Sequence, residues 1–491
     1  MNNFEKNYHP LRRIFFIIIF STLALAMVMN SSCKKDIIGS EKTLKFTTDT
    51  IFFDTVFTTL GSATRRLTVY NEHNTIIRIS SISLAGGSTS MFTLNIDGVP
   101  GNMASDVEIP AHDSIFIFAR VTVDPRNSNN PLAVSDSILF ETNGNLQTVK
   151  LVAWGQDAHY ILADTYRSGL PPYKIVAHEG ENITWSNDKP YVVFGYAVVD
   201  STARLNIDQG ARIYFASNSG LWIYKGANIK VNGTKDNPVN FSGIRLEQWY
   251  RDIPGQWDRI LINEGSVDNE INYAIIRNAF IGIQTETMGK SMGNKLLLKN
   301  TIIENMKAYG LLSRFYKIEG GNLLIDNCGQ MAIAITTGGN YDFRQCTIGN
   351  YWNYSTRNTP SVFLSNYYED QANQVVYTGN LDKAYFGNCI IYGSLENEID
   401  TSDKYGGTFS YQFDHCLLKT SQNTSNALRF LHCYKNLDPQ FTDIDVFNYT
   451  IKQSSPAKDS GDAVISAPYP FDLNNKPRDG QPDLGAYEFV P

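Results

Sequence analysis

A short phrase recurs along the second half of this chain and restricts its fold more than any other feature. Asn272-Tyr273-Ala274-Ile275-Ile276-Arg277-Asn278 is echoed by Asn300-Thr301-Ile302-Ile303-Glu304-Asn305, Gln345-Cys346-Thr347-Ile348-Gly349-Asn350 and Asn388-Cys389-Ile390-Ile391-Tyr392-Gly393. Asn272 and Asn300 stand 28 residues apart, Asn300 and Asn327 27. At such a period each repeat is an unclosed turn whose apolar side only its neighbours can bury, so the expectation is a stack of coils.

The run-up to the repeats consists of very short β-rich segments, Val192–Gly195, Ala203–Ile207, Arg212–Phe215, Leu221–Tyr224 and Ile229–Val231, parted by turns such as Gly210-Ala211 and Gly226-Ala227. These resemble the opening rungs of the pectin-lyase-like right-handed parallel β-helix. The closing run carries Leu437-Asp438-Pro439-Gln440-Phe441, Ser455-Pro456-Ala457-Lys458-Asp459-Ser460-Gly461-Asp462 and Asp483-Leu484-Gly485-Ala486-Tyr487-Glu488. It is similar to the end of many Bacteroidetes-type secreted β-helix proteins. The resemblance implies a β-helix over residues 158–491, with a C-terminal cap shielding the open edge of the last coil.

Cys328, Cys346, Cys389 and Cys416 follow Asn327, Gln345, Asn388 and His415 at what reads as one equivalent point of successive coils. Unactivated cysteine behaves as a small buried hydrophobe. An inward, reduced cysteine stack is therefore expected, beside an amide ladder at the bend that pairs backbone groups left open by the turning chain.

Residues 44–156 carry seven β-rich runs separated by turn chemistry such as Gly86-Gly87 and Asn143-Gly144, the spacing of a β-sandwich. Arg65–Asn71 with Ile79–Leu84 resembles the immunoglobulin-like modules of bacterial surface proteins, which implies a spacer domain. In Ile115–Val121 both faces are largely apolar, as in a strand packed on both sides. The chain is thus read as all-β: an immunoglobulin-like sandwich followed by the β-helix.

Residues 1–32 read as a signal peptide: Arg12 and Arg13, an apolar run from Ile14 to Met29, then Asn30-Ser31-Ser32. The run is 16 residues long, short of the ~20 that a membrane-spanning helix needs. Ser31-Ser32-Cys33 resembles a lipobox, which implies lipidation of Cys33, a linker over residues 33–43 and an outer-membrane location, with the membrane itself as a partner.

A formal charge of −7, with cations interspersed among anions, argues against nucleic acid as a partner. Hydrolysis of a glycan needs carboxylates paired across the bond, and elimination needs a cationic base beside a carboxylate cage. The nearest candidates are Asp342 with Arg344, Arg314 with Lys317, and Asp326, all read as parts of solvated strand faces. His415 and His432, 17 residues apart, read as stacked bend residues; Asp472, Asn474, Asp479 and Asp483 lack the spacing of a calcium loop. Neither catalytic residue, metal nor cofactor is assigned. Two irregular stretches, Leu246 to Trp257 and Asn350 to Asn380, supply the candidate binding face, Trp249, Tyr250, Trp257, Trp352, Tyr354, Tyr367 and Tyr368; the equal alternative is that these aromatics pack on the flank of the coils as a local satellite core. The expected function is recognition or structural assembly at the envelope, with an outer-membrane protein or a glycan as partner; the alternative is a glycan-cleaving, lyase-type β-helix.

Overall fold

The computed structural model describes residues 43–125, 132–287 and 295–491. Cys33 and its signal peptide lie outside the described residues. Among them no helix is long and apolar enough to cross a membrane. Two compact units result, one from the segments ending at Phe53, Gly61–Thr122 and Ala133–Ala153, the other from Trp154–Pro491 with Asp54–Leu60.

The N-terminal strands form two five-stranded sheets. In one, Ser114–Val121 lies between Arg65–Tyr70 and Phe92–Ile96, antiparallel to both. In the other, Ile77–Leu84 pairs with Met103–Ile109 and Leu132–Thr142. Alternate residues such as Leu67, Ile79, Ile117 and Phe140 are fully buried, the period-two pattern of a sandwich. Ser114–Val121 departs from the expectation of two packed faces: it alternates strictly, and Phe116 and Phe118 are 40% and 37% exposed. The apolar outer face is instead partly roofed by charged stems, the Arg66 guanidinium lying 5.3 Å from the Phe116 ring.

From His159 the chain winds into a parallel β-helix. His159–Leu162, Tyr173–Ala177 and Asn182–Trp185 pair in parallel with Tyr191–Phe194, Tyr196–Val199 and Arg204–Asp208 of the next coil. The pattern repeats as three columns of strands. Along one column Ile276, Ile303, Ile325, Ile348, Ile391 and Leu418 point inward in register, all without exposed surface. Along another, Phe343, Phe386, Phe413 and Phe430 stack with ring centroids 5.2, 5.0 and 5.6 Å apart. One coil earlier that row holds Gly320, where a Cβ would meet the Phe343 ring at 2.6 Å.

The corners explain the recurring phrase, and they correct its period. Tyr273, Asn300, Asn322, Gln345, Asn388, His415 and His432 occupy one corner of successive coils, all left-handed with φ between 47° and 53°. Asn and His tolerate that conformation better than most residues. A second corner holds Asn278, Asn305 and Asn327. Its amides hydrogen-bond coil to coil at 2.7 and 2.8 Å. The 27-residue step from Asn300 to Asn327 therefore compares different corners; coils run from 17 residues, His415 to His432, to 43, Gln345 to Asn388.

The cysteine stack is corrected accordingly. Cys346, Cys389, Cys416 and Cys433 follow the first corner, and the Cys389 N–H donates to Cys416 Sγ at 3.4 Å. Cys328 follows the second corner, in register with Met306, and donates its N–H to Asn350 Oδ1 at 3.0 Å. All five thiols are free, with Cys433 half-buried and the rest buried.

The C-terminal segment likewise departs from the expected end cap. It runs along the flank of the coils: Asn322 Nδ2 donates to Phe471 O at 2.7 Å, Gln345 Nε2 to Asp483 O at 3.1 Å and Asn388 Nδ2 to Asp462 O at 2.8 Å. Phe441, Tyr449, Ile451, Leu473, Leu484 and Tyr487 bury the outward Leu324, Ile390 and Leu417 in a second core. The apolar outer rows of that column demand such a cover.

Candidate functional site

Three coils and one hairpin build a cleft of about 500 Å³. Its floor is an outward row, Glu286 and Arg314 on in-register strands of neighbouring coils, with Thr337 of the next coil lining it beside them. Arg314 Nη1 sits 3.3 Å from Glu286 Oε1, both side chains about three-quarters buried or more. The wall comes from the long stretch after Asn350, which folds back as the antiparallel hairpin Tyr367–Asp370 and Val375–Thr378. Tyr368 and Tyr377 are cross-strand partners with rings 6.3 Å apart and nearly parallel. The Arg314 guanidinium lies 4.3 Å from the Tyr368 ring centroid, a cation–π contact that leaves its charge partly satisfied. Tyr377 remains 38% exposed.

At the hairpin turn, Asp370 Oδ1 accepts the Ala372 and Asn373 backbone N–H groups at 3.1 Å, and its Oδ2 accepts Asn373 Nδ2 at 2.9 Å. These bonds, first of all the Asn373 side chain, hold its carboxyl below the usual carboxylate range. The cleft thus offers aromatic faces, an ion pair and amide and hydroxyl groups, with a net formal charge of about −1 from Glu286, Asp370 and Arg314. Each charged group in it is already engaged, Glu286 with Arg314 and Asp370 with its own turn. Flat apolar rings beside convergent polar groups suit a sugar ring, which has an apolar face and a rim of hydroxyls.

The structure scatters the seven expected binding residues. Trp257 is a core residue: it is 1% exposed, its ring stacks on Phe215 at 4.4 Å and its Nε1 donates to Arg277 O at 2.9 Å. Trp249, half exposed, and Tyr250, under the Arg245 guanidinium at 3.8 Å, sit on a loop pinned by Asn278 and Asn305, which donate to Arg251 O and Asp252 O. Trp352 is buried and Tyr354 half exposed, with rings 5.1 Å apart and the Tyr354 hydroxyl donating to Asp252 O. The two aromatic insertions therefore meet at the second corner, beside a hollow of about 460 Å³. Tyr367 is tied by its hydroxyl to Ser402 Oγ at 2.7 Å. Tyr368 alone of the seven lines the cleft. Glu286, Asp370 and Tyr377 escaped sequence reasoning; the Val375-Val376-Tyr377-Thr378 run following a polar turn was the available signal.

The candidates weighed for catalysis resolve differently. Arg344 and Lys383 both pair with Asp342, at 2.8 and 2.6 Å. Burial alone would raise the Asp342 carboxyl, but those two hydrogen-bonded cations outweigh it and hold it low. Lys317 pairs with Glu319 at 3.4 Å on a different column from Arg314. The C-terminal carboxylates serve turns: Asp472 accepts Lys476 N at 2.6 Å, Asp479 accepts Gln481 N at 2.8 Å and Asp483 accepts Asp459 N at 2.7 Å, while Asn474 accepts Lys235 Nζ.

Asp326 is not on a solvated face. It is fully buried, in register with Glu304, which pairs with Arg277. Neither Asp326 oxygen has a hydrogen-bond partner among the described residues. Burial first, then the Glu304 charge, pushes its carboxyl well above the usual range. Tyr449 and Tyr487 of the C-terminal segment lie beside this pair, and no exposed surface reaches Asp326.

Residues 177–270 match the model of a family described as a pectate-lyase-like β-helix domain. No curated protein matches the chain. Among solved structures, PapD-like domain 7 of human CEP192 is 11% identical with a TM-score of 0.18, covering 26% of this chain and 94% of that one. A family 123 glycoside hydrolase from Clostridium perfringens is 7% identical at a TM-score of 0.17, covering 24% and 30%. A protein of unknown function from Porphyromonas gingivalis is 11% identical at 0.17, covering 29% and 58%.

Proposed function

We propose that this protein recognises a neutral glycan without cleaving it, held at a bacterial envelope by a lipid on Cys33. The observation that carries the reading is the cleft in which the Tyr368 and Tyr377 rings stand beside the Glu286–Arg314 row. A pectate-lyase-like β-helix domain is in keeping with a polysaccharide partner. Neutral sugars suit it better than polyuronates, because the cation present is paired and the cleft and the chain are net anionic. The Ser31-Ser32-Cys33 sequence behind an apolar leader supports the anchor, and the N-terminal sandwich then serves as a spacer. The test is incubation of the purified protein with neutral and acidic polysaccharides. Retention on a neutral glycan with no release of reducing or unsaturated ends is the expected result; product formation that Arg314→Ala abolishes would replace recognition by catalysis.

A further inference from the structure

The last two coils place Asp414, His415 and His432 together on the first corner. One carboxylate oxygen and one imidazole nitrogen from each histidine all lie within 4.8 Å of one another. We propose that these three side chains bind a divalent transition-metal ion, zinc foremost, with water completing the coordination.

The backbone brings the imidazoles together. His415 and His432 occupy the left-handed bend at φ 47° and 49°, one coil apart, so that their rings lie 4.6 Å apart. Parallel pairing of Leu417 with Tyr434 and of Phe413 with Phe430 fixes that register on both sides of the bend. Higher on the same corner, Asn322, Gln345 and Asn388 spend their amides on the C-terminal segment; the histidines lie beyond the last of those contacts. Asp414 is braced by Tyr385, whose hydroxyl donates to Oδ2 at 3.1 Å, while Oδ1 faces His415 Nδ1 at 2.8 Å. A hydrogen-bonded carboxylate of this kind is how metal ligands are oriented.

Bonds of about 2.0–2.1 Å to zinc put tetrahedral ligand atoms roughly 3.4 Å apart. Rotation of His432, the exposed member of the set, brings its nitrogen in, and the Asp414–His415 contact opens from 2.8 Å to admit the ion. Two imidazoles and a carboxylate favour zinc, nickel or copper over calcium and magnesium. The neighbouring thiols take no part, since Cys416 and Cys433 turn inward to Phe386 O and Phe413 O.

The test is titration of the untagged full-length protein with zinc chloride at pH 7.5, read by calorimetry and by competition with a chromogenic chelator. One equivalent is expected to bind at micromolar Kd or tighter. His415→Asn and His432→Asn keep a residue suited to the left-handed bend, as Asn388 is in the coil before, and are expected to weaken binding by at least roughly tenfold, the loss that even an outer-shell change brings, with unchanged thermal unfolding of the metal-free protein. Unaltered affinity in both variants, or no stoichiometric binding below about 100 µM, would overturn the site. Cobalt gives a second reading: visible absorption typical of a bound imidazole complex in the parent and not in the variants supports it, and equal spectra refute it.

Discussion

Replacing Asp326 by asparagine is expected to remove the loss of stability that this buried carboxylic acid imposes as pH rises. Both carboxyl oxygens are buried without a partner among the described residues, and Glu304 lies in register one coil away. Burial, then the Glu304 charge, raises the carboxyl well above its usual range, with Arg277 opposing. The folded protein therefore holds Asp326 protonated where the unfolded chain, with an aspartate pKa of about 3.9, releases the proton. For an acid with a raised folded-state pKa, stability is fully present below the unfolded pKa and falls as pH rises towards the folded one. The slope for one group is about 1.4 kcal/mol per pH unit. Asp326→Asn keeps the shape and removes this slope, while its amide adds an unmet donor costing about 1–3 kcal/mol at every pH. Guanidinium unfolding of both proteins at intervals from pH 4 to pH 8 measures the difference. The variant should be equal to or weaker than the parent near pH 4 and should gain on it steadily as pH rises. Parallel stability curves, or a deficit that grows with pH, would refute the assignment of a protonated Asp326.

Three further outcomes follow from the same structure. Glu398→Ala leaves the Arg357 guanidinium, paired with it at 2.6 Å and 1% exposed, as an uncompensated buried charge; a loss of about 3–5 kcal/mol is expected in thermal or denaturant unfolding. Cys346 and Cys389 should resist alkylation in the native protein and react on unfolding, as counted by mass spectrometry, because both are buried and the Cys389 thiol is pushed well above the usual range by burial, then by Cys346. Cys33→Ala should move the protein from the membrane to the soluble fraction with an unchanged unfolding transition; retention of a correctly processed variant would contradict a lipid anchor.

The stacked architecture was legible because the corner residues are chemically selected. A left-handed bend favours Asn and His, so Asn300, Asn388, His415 and their neighbours mark coils in the sequence itself. The same selection hid the geometry. Both corners use asparagine, so Asn322 and Asn327 look alike until strand register separates them, and Cys328 reads as a member of a stack whose place belongs to Cys433. Periodicity also says nothing of what lies across the coils. Gln345 meets Asp483 over 138 residues, and the C-terminal flank, unlike an end cap, leaves no local signal. Trp257 reads as a loop aromatic but closes the core on Phe215. The cleft was half legible: Arg314 and Tyr368 stood out, whereas Glu286 depends on a 28-residue coil register and Tyr377 on a hairpin pairing.

Binding of a neutral sugar in the cleft is the decisive property of this protein. Titration of the purified protein against a panel of neutral and acidic oligosaccharides, with Tyr377→Ala and Arg314→Ala in parallel, tests it most directly. Saturable binding to a neutral oligosaccharide is predicted, weakened roughly tenfold or more, about 1.4 kcal/mol, by either substitution, while thermal unfolding of the Tyr377→Ala variant stays close to that of the parent. Binding that both variants retain in full, or affinity confined to polyuronates, would contradict it.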